Sequence, residues 1–155
     1  MDIKNSVASD DKAIQEGIQA KEINMAFDAP SVLFINDINK IMQIYNDIKI
    51  DEMPYEPTEI QKKLLGEDQF WPRTIVYRKN STQMYITFSK VGKITEVFIS
   101  DDTYGRSKED IMKLGNIKPH SNEYRVQIQN WLNPEYAKKK GCAEIAGVRI
   151  TPKKR

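Results

Sequence analysis

Apolar positions recur at three- and four-residue steps in the first third of the chain and at two-residue steps in its middle, and this change of period sets out the fold. Asp10 to Phe27 reads as a first helix, with Ser9 as N-cap and Asp10 and Asp11 suited to its positive end. Ala13, Gly17 and Ala20 lie on one face of it beside Ile14 and Ile18, small enough to let another backbone approach. Ala29-Pro30-Ser31 breaks the helix, and Ser31 then caps a second one. Its apolar stripe is Phe34, Ile38, Ile41, Tyr45 and Ile48, with Asn36, Asp37, Asn39, Lys40, Asn46 and Asp47 opposite. The two together predict a helical hairpin forming one layer.

Asp51 to Pro57 holds two prolines and reads as a loop, after which Thr58 to Gln61 has the form of a capping box and Gly66 sits at a C-terminal stop. Phe70-Trp71-Pro72 ends helical periodicity. Thr74 to Lys79, Gln83 to Ser89 and Ile94 to Ser100 are then short β-rich runs separated by turn residues, an antiparallel meander. In the middle run Met84, Ile86 and Phe88 alternate with Tyr85, Thr87 and Ser89, which predicts a sheet covered on one face, with the former three and the helix stripe meeting in the core.

Ser107 opens a further short helix that Gly115 closes. The stretch 122–132 is ambiguous: Tyr124, Val126 and Ile128 alternate as in a strand, while Tyr124, Ile128, Trp131 and Leu132 share a helical face. Ser121 with Glu123, and the Gln and Asn content, favour helix. Asn133-Pro134 starts a last helical turn that Gly141 stops, and Glu144 to Thr151 reads as a last strand. The expectation is one α+β domain over 1–155, an N-terminal helical hairpin on a small antiparallel sheet, with flexible ends at about 1–8 and 152–155.

Composition narrows function mainly by exclusion. Cys142 is the only cysteine and His120 the only histidine, so no internal disulfide and no four-ligand Cys/His zinc site can form. The longest apolar run, Val32 to Ile35, is far short of the ~20 residues that cross a bilayer. The opening Met1-Asp2-Ile3-Lys4-Asn5-Ser6 has neither the basic start nor the apolar middle of a signal peptide. The expected location is therefore cytoplasmic, or inside a virus particle assembled there, with no membrane partner. A net charge of +2 does not advertise a nucleic-acid binder. Richness in Ile, Lys and Asn fits an AT-rich coding sequence such as a low-GC bacterium, its phage or a large virus supplies.

No phosphate loop, dinucleotide fingerprint, nucleophile elbow or His-Glu-x-x-His motif is present. Nothing around Cys142 marks an activated thiol. Lys118, His120, Glu123, Tyr124 and Arg125 carry the residue types of a metal-independent ribonuclease, in which a base takes the 2′-hydroxyl proton, an acid protonates the leaving oxygen and cations hold the phosphorane. The catalytic alternative is His120, Glu123 and Arg125. Asp101, Asp102, Glu109 and Asp110 could gather around magnesium, although adjacent acids in a strand-to-helix loop are more often turn formers and caps. Neither a metal nor a cofactor is expected.

The one local charge asymmetry is Lys138, Lys139, Lys140, Arg149, Lys153, Lys154 and Arg155, a nucleic-acid-binding candidate with Trp131 and Tyr136 as stacking partners. Tyr55, Phe70 and Trp71 stand in proline-punctuated segments, where large aromatic groups either fold onto the core or anchor a partner. Missing enzyme motifs and aromatic groups in loops favour a non-enzymatic interaction or assembly protein, such as a structural component of a phage particle or other large complex, with other protein chains as partners.

Overall fold

The two-residue alternation between Thr74 and Ser100 does build an antiparallel meander, and the rest of the sheet grows outward from it. A computed structural model of the protein describes residues 23–153. In chain order they form helices α1 (Ala29–Ile35) and α2 (Ile38–Ile44), strand β1 (Lys49–Glu52), helix α3 (Glu59–Leu65) and a 3-10 turn (Glu67–Phe70). There follow β2 (Arg73–Lys79), β3 (Thr82–Phe88), β4 (Ile94–Asp101), α4 (Lys108–Leu114), β5 (Tyr124–Gln129), α5 (Pro134–Lys139) and β6 (Gly147–Pro152). The class is α+β, and among the described residues the sheet has six strands in the order β1-β2-β3-β4-β6-β5, antiparallel throughout.

Met84, Ile86 and Phe88 face the core as their alternation requires, and the register sets Met84 against Tyr77 and Ile86 against Ile75 on the same buried face. Val97, Ile99, Val148 and Ile150 extend that face across β4 and β6. Val32 and Leu33 of α1, Ile38 and Ile41 of α2 and Ile111 of α4 cover it. Thr74, Tyr85, Thr87, Phe98 and Arg149 occupy the opposite face and are half-buried. Phe98 lies edge-on to Tyr85 and beneath the Arg149 guanidinium, which is also paired with Glu96 at 2.9 Å.

The helical layer departs from its expected form. Residues 10–22 of the predicted first helix lie outside the described residues, and Ile23 to Phe27 is not helical, because the N–H groups of Ala26 and Phe27 bond to the Leu114 carbonyl instead. The predicted second helix is broken in two. Asn36 takes the left-handed conformation, where its side chain accepts the N–H of Ile94, and Asp37 caps α2 by accepting from Asn39 and Lys40. Asp28, not Ser31, caps α1. The break leaves Phe34 48 % exposed against Tyr124, whereas Ile38 and Ile41 are buried and Tyr45 and Ile48 pack at the margin.

Two strands correct the sequence reading. β1 occupies the start of the predicted loop; all four of its side chains are exposed, so no alternation betrays it. Residues 124–129 are strand rather than helix, because β6 supplies a ladder partner that outweighs a weak helical face. The capping signals elsewhere hold: both Thr58/Gln61 and Ser107/Asp110 form reciprocal boxes, and Asn133 caps α5.

Phe88 is buried and meets Trp71 edge-on. Phe88→Ala should cost about 3 to 5 kcal/mol in a denaturant titration. A loss under about 1 kcal/mol would place the side chain on the wrong face.

Candidate functional site

The chain leaving α4 runs through Pro119, His120, Ser121 and Asn122 before entering β5, and this turn is held by short local bonds. The Lys118 N–H donates to Tyr124 Oη (3.0 Å), the Glu123 N–H to Ser121 Oγ (3.0 Å) and Lys153 Nζ to the Ser121 carbonyl (2.8 Å). His120 is exposed, and among the described residues no hydrogen bond or ion pair joins it to Glu123 or Arg125. His120, Tyr124 and Arg125 do share a groove of about 600 Å³, together with Val126, Gln127 and Lys153. Glu123 lines a neighbouring hollow with Phe34 and Lys153. The residue types of the ribonuclease cluster are thus gathered only in part, with His120, Tyr124 and Arg125 at one groove and Glu123 at the next.

A groove lined by four consecutive strand residues runs against backbone rather than against one face. Among the described residues β5 is the last strand of the sheet and pairs only with β6. The Lys153 N–H bonds the Glu123 carbonyl at 3.1 Å, which fixes the phase of the ladder. Since antiparallel pairs alternate, the N–H and C=O groups of Tyr124, Val126 and Ile128 point away from β6, toward the groove. Pro152, opposite Tyr124, is tolerated because that position donates nothing to β5. A second hollow of about 290 Å³ adjoins the first, sharing Pro119 and Val126 and adding Met112, Ile128, Lys108 and Glu109. The alternation of Tyr124, Val126 and Ile128 is visible in the sequence, but favouring helix over 122–132 hides Val126 and Ile128 as groove residues, and nothing singles out Met112 of α4.

The basic residues do not form one patch. Lys138 lines a hollow with Tyr104, Trp131 and Cys142, where Trp131 Nε1 donates to the Ala143 carbonyl. Lys139 and Lys140 are exposed on and after α5, and Lys140 lies over the Tyr136 ring. Arg149 is committed to Glu96 and Phe98 on the sheet face, while Lys153 borders the β5 groove. Lys154 and Arg155 lie outside the described residues.

Of the proposed anchors, Tyr55 is exposed, with its hydroxyl bonded to Gln61 and its ring against Phe70. Trp71 folds inward between Phe88 and the Arg73 guanidinium, and Arg73 pairs with Glu56 at 2.7 Å. Tyr55 is one of several exposed apolar residues in this part of the chain. Of the fourteen large apolar side chains exposed among the described residues, seven fall between residues 44 and 65: Ile44, Ile50, Met53, Tyr55, Ile60, Leu64 and Leu65.

Three of the four acidic residues weighed for magnesium have other work. Asp101 is wholly buried and accepts from Ser81 Oγ (2.9 Å), Thr82 Oγ1 (2.7 Å), the Thr103 N–H (2.9 Å) and Arg106 Nε (2.9 Å). Asp102 pairs with Arg78, Asp110 closes the α4 capping box, and no group of three metal-ligating side chains occurs among the described residues. Burial pushes the Asp101 carboxyl up, but the bonds from Thr82, Arg106, Thr103 and Ser81 outweigh it and hold the carboxyl below its ordinary value.

No protein-family model matches the chain, and no curated protein or solved structure matches it either. No helix among the described residues is long and apolar enough to cross a membrane.

A carboxylate whose folded-state pKa is depressed contributes stability above its unfolded value, about 3.9, and loses it as pH falls through the lower folded value. Asp101→Asn should therefore destabilise the protein by about 3 kcal/mol at neutral pH. The gap from the native protein should narrow as pH falls below the ordinary aspartate value, read by denaturant midpoints across pH. A gap that does not vary with pH would show that the charge is not what Asp101 contributes.

Proposed function

We propose that the protein is a non-enzymatic interaction or assembly protein, a small component of a larger complex that docks onto another protein chain through α3 and the segment before it. The observation that supports this reading is α3 itself. Its ends are held by its own capping box and by Gly66, yet it buries none of its residues. Ile60 and Leu64, four apart on one face, are 70 % and 77 % exposed. Met53, Tyr55 and Leu65 add to the same stretch of chain. Apolar surface concentrated in this way marks a binding site far more often than isolated exposed residues do.

The experiment is native purification of the full chain from its own source, comparing the unaltered protein with Ile60→Asp/Leu64→Asp. Both side chains are exposed, so the double variant should keep its folded spectrum and lose at most about 1 kcal/mol of stability. It should also lose the protein chains that accompany the native protein in fixed ratio. Accompanying chains that are unaffected by the substitutions would remove α3 from the interface. If the purified protein cleaves RNA in the presence of a chelator, and His120→Ala abolishes the cleavage, the interaction reading gives way to the ribonuclease.

A further inference from the structure

We propose that the outer edge of β5 is a separate docking site, which takes an extended acidic peptide segment of a partner chain as a seventh strand of the sheet. It does not depend on the α3 surface, since β5 and β1 are the two opposite ends of the sheet.

Three observations carry it. The backbone groups of Tyr124, Val126 and Ile128 point outward from an unbroken six-pair ladder, so an incoming strand meets a regular template of alternating donors and acceptors. That template is matched by another peptide backbone and by no nucleic acid. Next, the two faces beside the edge differ. A peptide residue opposite Val126 or Ile128 directs its side chain into the hollow of Met112, Pro119, Val126 and Ile128, which suits Val or Ile. A residue opposite Arg125 or Gln127 lies on the other face, beside Arg125 and Lys153.

The third observation is charge. Lys108, Lys118, Arg125 and Lys153 are exposed around the groove, and none of them is ion-paired among the described residues. Among the described residues Glu109 and Glu123 are the only carboxylates on the groove's walls or in the turn leading to it. A second copy of this chain meeting β5 edge to edge would bring these cations against their own counterparts. An acidic strand meets them favourably, with a salt-dependent on-rate.

The probe is a capped octapeptide alternating Glu with Val or Ile, titrated into the isotope-labelled full chain. Amide shifts and slowed exchange should concentrate at Tyr124, Val126 and Ile128. A twin peptide with N-methyl groups on the backbone nitrogens facing β5 should bind about tenfold more weakly or worse, and so should a twin with Lys in place of Glu. Arg125→Glu/Lys153→Glu should weaken the acidic peptide by a similar factor. Val126→Pro removes an outward donor without touching the ladder to β6, and should abolish binding while leaving the fold intact. If that variant fails to fold, the N-methylated twin decides in its place.

Ile60→Asp/Leu64→Asp should bind the probe like the native protein, which keeps failure of this site distinct from failure of the α3 interface. Equal binding of the N-methylated peptide would overturn the strand-addition mode. Preferential binding of a single-stranded oligonucleotide would assign the cations to nucleic acid. Protection of the same amides by self-association, without any peptide, would make the occupant a second copy.

Discussion

The joint between β4 and β6 is the constraint on which the outer half of the sheet depends. Residues 97–99 pair with 148–150, the widest sequence separation in the ladder, so the chain between them must be closed into a loop before the pairing returns any energy. Gly147 makes the approach possible. A Cβ there would stand 2.3 Å from the Phe98 ring and 2.5 Å from the Ile99 carbonyl, so any other residue must displace an aromatic ring and the backbone beneath it. With β6 seated, Val148 and Ile150 complete the buried face, Arg149 comes over Phe98, and β5 has a partner to lie against. Without that joint the protein would keep its meander and lose the edge.

What was legible in the residues was what is decided locally. The meander announces itself through alternation in 82–88, and the caps of α3, α4 and α5 through side chains that bond their own first turns. What was not legible depends on distant partners. Asn36 breaks the helical layer by reaching across to Ile94, and nothing in the spacing of Phe34, Ile38 and Ile41 reports that bond. β1 carries no alternation because all four of its side chains are exposed. In 124–129 the Gln and Arg side chains lie on the face turned away from the helices, so a true edge strand looked too polar to be one.

The candidate site was legible as chemistry and not as geometry. Lys118, His120, Glu123, Tyr124 and Arg125 stood out because acid, base and cation types were crowded together, and the structure does gather most of them at one groove. Their meaning changes with the secondary structure. On a helix they would have formed a side-chain cluster, whereas on an edge strand the backbone becomes the recognising group and the charges become its border. Asp101 shows the reverse: an acid that could have been a ligand is consumed by four donors that tie the β2–β3 turn to the loop after β4.

The two edges of the sheet are guarded in different ways, and the difference bears on which of them can accept a strand. An unprotected edge invites pairing with whatever strand arrives. At β1 the register slips between Ile50 and Glu52, and Lys49, Asp51 and Glu52 present both signs of charge, so a regular strand finds neither a continuous ladder nor a consistent field. β5 has no slip over its six pairs and only one charged residue, Arg125, within it. Its protection comes from Arg125 and from Lys108, Lys118 and Lys153, which are placed beside the strand rather than in it. Such a border repels copies of itself and admits a strand of opposite charge, so the same side chains that keep the edge from self-pairing select what is allowed to pair.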